Sequence, residues 1–107
     1  MNGTTGLTPE HTALIVGVIA AHPEVTRAVL FGSRAKGCAR SNSDVDLALY
    51  GDLSDLQVEG IAHELDELPT PYLFDVKAVT SIRNPALLEH IARVGLELYA
   101  ADALADG

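Results

Sequence analysis

Tryptophan is absent from these 107 residues, and three tyrosines and two phenylalanines are the only other large aromatics. With 48% of the chain hydrophobic and 5% aromatic, any core it builds is aliphatic. Cysteine occurs once, as Cys38, so no disulfide can close within the chain and a reducing, cytoplasmic setting is expected. No apolar run reaches the roughly 18 residues of a membrane-spanning helix. The start, Met1-Asn2-Gly3-Thr4-Thr5-Gly6, lacks the basic segment of a signal peptide. Basic residues are scarce as well. Seven Lys and Arg against fifteen Asp and Glu leave a net charge of −8, which argues against a nucleic-acid backbone as the principal partner.

The few basic residues are clustered. Arg27, Arg34, Lys36 and Arg40 fall within fourteen positions that contain no acid. An acidic protein with one local basic loop suits a small polyanion such as a nucleoside triphosphate. The same window holds the chain's most informative pattern. Gly32-Ser33 follows the apolar run Ala28-Val29-Leu30-Phe31, and ten residues later Asp44-Val45-Asp46 opens a second run, Leu47-Ala48-Leu49-Tyr50. A Gly-Ser turn after a strand offers backbone N–H groups and a hydroxyl to an anion. Aspartates at i and i+2 of a strand face the same way, and their oxygens can share a hard divalent cation such as Mg²⁺.

Gly32-Ser33, ten residues and Asp44-x-Asp46 together resemble the signature of the polymerase-β-type nucleotidyltransferases. The short chain is similar to the minimal members of that superfamily, the antitoxin half of HEPN/MNT toxin–antitoxin pairs. The resemblance covers roughly residues 8 to 99, nearly all of one expected domain, 1–107.

Secondary structure can be read along the same stretch. Thr8-Pro9-Glu10 marks a helix start, with Thr8 as N-cap and Pro9 at the first helical position; Leu14, Ile15, Val18 and Ile19 follow at helical spacing. Val25 to Phe31 reads as a strand, Ser33 to Lys36 as a short helix and Asp44 to Tyr50 as a second strand. Ser54 caps a second full helix whose expected inner face is Leu56, Ile61, Leu65 and Leu68. Tyr72 to Val79 is a third strand. Asn84-Pro85 opens a last helix with Leu87, Leu88, Ile91, Ala92 and Leu96 inward, and the tail from Ala100 is expected to fray. The sum is a small α/β (α+β) domain, a mixed sheet of about three or four strands flanked by helices. The second and third strands can pair antiparallel, with the long helix crossing between them. The resemblance implies the nucleotidyltransferase fold, including the short helix after Gly-Ser.

Nucleotidyl transfer needs metal to neutralise phosphates, donors to hold them and help for the attacking hydroxyl. Asp44 and Asp46 are the expected metal ligands. Asp75 is the third candidate, because it interrupts an apolar strand where a charge is otherwise costly. The resemblance implies the same triad, with two Mg²⁺ ions and Asp75 helping to deprotonate the acceptor. Gly32 and Ser33 would bind the β- or γ-phosphate. Of Arg34 and Lys36, one is expected to face the nucleotide and the other solvent. Ser43 either contacts a phosphate or holds a local turn. Lys77, at i+2 from Asp75, either pairs with it or reaches a phosphate. The four histidines lack zinc-ligand spacing.

The leading reading is thus a Mg²⁺-dependent nucleotidyltransferase acting without direct nucleic-acid or membrane contact. The resemblance implies a HEPN ribonuclease partner in a hetero-oligomer and AMP transfer from ATP onto a tyrosine of that toxin. Two alternatives stand beside it. One is a non-catalytic module that neutralises its partner by occlusion, and the other is a transferase acting on a small molecule.

Overall fold

The structure, a computed structural model, describes residues 8–31, 45–70 and 72–101 of the chain. The expected short helix at Ser33–Lys36 and the frayed end of the tail lie outside them.

Three helices form where the capping signals place them. Helix α1 (Pro9–Ala20) begins at Thr8, whose hydroxyl accepts from His11 N–H at 3.0 Å. Helix α2 (Asp55–Asp66) begins with a reciprocal box: the Ser54 hydroxyl accepts from Gln57 N–H, and the Gln57 side chain accepts from Ser54 N–H. Helix α3 (Pro85–Val94) begins at Asn84, whose side chain accepts from Ala86 N–H. In each, a side chain satisfies a donor that the first turn leaves without an intrahelical partner.

Four strands, β1 (Val25–Phe31), β2 (Val45–Gly51), β3 (Phe74–Ala78) and β4 (Leu96–Ala100), make one sheet in the order β3-β2-β1-β4. β1 runs antiparallel to both β2 and β4, whereas β2 and β3 are parallel. The last pairing corrects the antiparallel expectation. Helix α2 carries the chain back to the end of the sheet from which β2 started, and a strand entered from that end runs alongside β2.

Side-chain alternation gives the sheet two apolar faces. Ala28, Leu30, Val45, Leu47, Leu49 and Ala78 meet Ile15 and Ile19 of α1 and Ile61 and Leu65 of α2, and most of these are wholly buried. Val29, Phe31 and Ala48 face the other way, against Ile91 of α3. Two further expectations change. Leu56 is 77% exposed, because a residue five positions before Ile61 falls on the opposite side of a 3.6-residue helix; Val58, three before Ile61, packs against the core instead. The last helix stops at Val94, and Leu96 to Ala100, expected as helix end and start of the fray, is the edge strand β4. At the break, Gly95 packs so close to Val29 and the Ile91 carbonyl that a Cβ would collide with both. The third strand is also shorter than expected, with Val79–Ser81 forming a 3₁₀ turn.

Candidate active site

The parallel register sets Asp46 directly beside Asp75. On β2, Val45 and Leu47 point to the α1–α2 core, so Asp46 points to the other face. On β3, Phe74 and Val76 pack against that same core, so Asp75 and Lys77 share the face of Asp46. Neighbouring strands lie about 4.8 Å apart, which puts the two carboxylates within reach of one cation. Asp46 lies beside Phe31, which α3 covers, and Asp75 lies on the edge strand β3. The side chain of Asp75 is half exposed.

Lys77 answers the alternative left open by the sequence. Its Nζ donates to Oδ1 of Asp75 at 3.1 Å and to Oδ2 at 3.3 Å. The other neighbour of Asp46 is Phe31, its antiparallel partner on β1. Phe31 is the last residue of β1, and Gly32-Ser33 is the next step of the chain. Thus the strand leading into the expected phosphate turn ends against the strand that carries the carboxylate. Gly32, Ser33, Arg34, Lys36, Ser43 and Asp44 themselves lie outside the described residues.

A bound divalent cation is a sound fit to the donors present. Asp46 and Asp75 offer hard carboxylate oxygens side by side, the donor type Mg²⁺ takes. An ammonium already stands against one of them, so the position accepts positive charge. Among the described residues, no group of three or more His, Cys, Asp or Glu side chains gathers at one point. The third carboxylate of the expected set is Asp44.

Other side chains drop out of the site. Arg27 belonged by sequence to the basic window, but its Nε donates to Glu97 at 2.7 Å and its guanidinium lies 4.9 Å from the centroid of the Tyr50 ring. It braces β1 against β4 and β2. The histidines are engaged structurally: His11 with the Tyr72 hydroxyl at 2.8 Å, His22 with Glu64, His63 with Glu67, and His90 edge-on to Phe31.

Sequence reading missed a cleft of about 480 Å³ beside β3. Asp55, Val58 and Glu59 of α2 form one wall. β3 contributes Val76, Lys77 and Ala78, and Ser81, Ile82, Arg83, Asn84 and Leu87 complete the lining. Its one legible signal was Arg83, a base standing alone just before the Asn84-Pro85 helix start.

A family model described as polymerase beta, nucleotidyltransferase matches residues 14–104. No curated protein matches the sequence. Among solved structures, a toxin–antitoxin complex with AMP-PNP is similar at 22% identity and TM-score 0.72, over 83% of this chain and 73% of that one. A tri-AMPylated HEPN toxin from Shewanella oneidensis in complex with MNT antitoxin is similar at 17% identity and TM-score 0.66, over 91% and 76%. The MntA–HepT toxin–antitoxin complex is similar at 19% identity and TM-score 0.67, over 90% and 75%.

Proposed function

This chain belongs to the polymerase β nucleotidyltransferase family, and we propose that it is an antitoxin that transfers AMP from ATP to a tyrosine of a partner HEPN ribonuclease. The observation that carries the reading is the register of Asp46 beside Asp75, with β1 ending next to Asp46 at the Gly32-Ser33 step. In support, similar folds occur in complexes holding AMP-PNP and an AMPylated HEPN toxin.

The roles follow from the chemistry of each side chain. Asp44, Asp46 and Asp75 would hold Mg²⁺, two ions in the full site. Bound Mg²⁺ supplies neutralisation of the phosphate charge. Gly32 and Ser33 would hold the terminal phosphates through backbone N–H groups and the Ser33 hydroxyl, with one of Arg34 and Lys36 facing the nucleotide and Ser43 either contacting a phosphate or holding the turn before Asp44. The acceptor oxygen attacks the α-phosphorus, the bond from that phosphorus to the β-phosphate oxygen breaks, and pyrophosphate leaves. The proton of the acceptor hydroxyl passes to the Asp75 carboxylate, whose half-exposed position leaves it open to an incoming side chain. In this reading residues 1–107 act as one catalytic domain in the cytoplasm, and the partner presents the acceptor.

The test is a melting curve with ATP and Mg²⁺ followed by transfer of α-labelled phosphate. A ligand at about a hundred times its Kd adds roughly 2.7 kcal/mol to the folded state, enough to raise Tm by several degrees in a domain of this size. The parent should show that shift, and Asp46→Asn should lose both the shift and the transfer while melting as before without ligand. Transfer by Asp46→Asn at the parent's rate would overturn the assignment.

A further inference from the structure

We infer that Lys77 is a resident counter-cation of the carboxylate site, displaced from Asp75 by the metal and then turned toward the phosphates of the nucleotide. The inference rests on the metal-dependent reading above and adds to it a positioning residue that couples the two ligands. Asp46 and Asp75 stand side by side on one face, where two anions repel. Lys77 relieves that repulsion in the free protein, its ammonium within 3.3 Å of both Asp75 oxygens. A doubly charged ion serves two carboxylates better than one ammonium does, so metal and lysine compete for Asp75.

The displaced ammonium has a place to go. Its cross-strand neighbour on β2 is Ala48, buried against Ile91 of α3, so the ammonium leaves Asp75 toward solvent rather than across the sheet face. The Lys77 side chain is 39% exposed and ends on a flexible stem, so little packing opposes its turning. It also lines the cleft beside β3, as do Asp55, Glu59 and Arg83. Among the described residues, Arg83 is the basic side chain with no ion-pair partner; Arg27, Lys77 and Arg93 each have one. Release of Lys77 therefore places a second uncommitted cation near the carboxylates at the moment the metal arrives. A polyphosphate that gains from this cation binds more tightly with metal present than without it, and by linkage the metal gains equally from the polyphosphate.

The probe is Mn²⁺ alone, followed by calorimetric titration and by the paramagnetic signal of the free ion, on the parent, Lys77→Met and Lys77→Arg. Removal of a half-exposed competing charge should tighten Mn²⁺ binding by Lys77→Met about two- to fivefold, while Lys77→Arg keeps the parent's affinity. ATP titrated in the presence of Mn²⁺ should bind Lys77→Met more weakly than the parent, with Lys77→Arg restoring most of the loss. Equal or weaker Mn²⁺ binding by Lys77→Met, when the parent binds, would overturn this inference and leave the proposed function standing. Absence of Mn²⁺ binding in the parent and all variants would overturn both.

Discussion

At the scale of single residues, the site depends on positions where chemistry rather than packing selects the side chain. Ser33 is the clearest test of the phosphate turn. A hydroxyl that bonds a charged phosphate contributes roughly 1.5–3 kcal/mol, so Ser33→Ala should weaken ATP binding about tenfold or more in calorimetry while the thermal melt without ligand stays put. An unchanged ATP affinity would make Ser33 a turn residue only. Gly51 is constrained by backbone shape instead. It has φ of +137°, a region L side chains rarely adopt, and a Cβ there would collide with the Glu24 carbonyl. Gly51→Ala should cost about 1–3 kcal/mol in urea unfolding and leave nucleotide chemistry intact in the folded fraction. Asp75, which the register sets beside Asp46, was conspicuous in the sequence because a charge inside an apolar strand stands out. Arg27 misled for the same reason: a local count of bases does not reveal that Glu97, seventy positions on, claims the guanidinium.

At the scale of elements, helix starts were legible and strand partners were not. Thr8, Ser54 and Asn84 cap their helices through contacts spanning two to three residues, which a local pattern can specify. The direction of β3 depends on where α2 delivers the chain, and alternation along a strand is the same in either direction. The signal lay in the connection, since a crossover containing a full helix is the usual way to join parallel neighbours. β4 was hidden by coincidence: Leu87, Leu88, Ile91, Ala92 and Leu96 continue a helical spacing past the point where the helix ends. Gly95 held the corrective information, and it yields a prediction. A methyl at Gly95 would push α3 and β4 away from Val29 on β1, and overpacking of this kind typically costs about 1–3 kcal/mol. Gly95→Ala should lower the urea midpoint by that equivalent, with hydrogen exchange faster in β4 than in β2. Uniform protection across the sheet would mean that the β4 connection tolerates the methyl.

At the scale of the whole molecule, the proposed acceptor is another protein. Among the described residues, α1 and α2 cover one face of the sheet, and the other carries Asp46 and Asp75 beside the Val29, Phe31 and Ala48 patch that packs on Ile91 of α3. The exposed rim beside Asp75 is where a partner's tyrosine would enter. A net charge of −8 favours docking onto a basic, RNA-binding surface, and attraction of this kind speeds encounter and fades as salt rises. Co-expression with a HEPN-type protein encoded beside this chain should therefore give a stable hetero-oligomer whose association rate falls between low and physiological salt. With ATP and Mg²⁺, intact mass spectrometry of the partner should show the gain of AMP. Asp75→Asn should form the same complex with the same salt dependence and leave the partner's mass unchanged, because the amide cannot take the acceptor's proton while the docking surface keeps its charge pattern elsewhere. A complex whose partner never gains AMP, even with the parent chain, would favour neutralisation by occlusion. No complex at all would redirect the search for an acceptor to free small molecules, since the carboxylate pair would then lack a protein to modify.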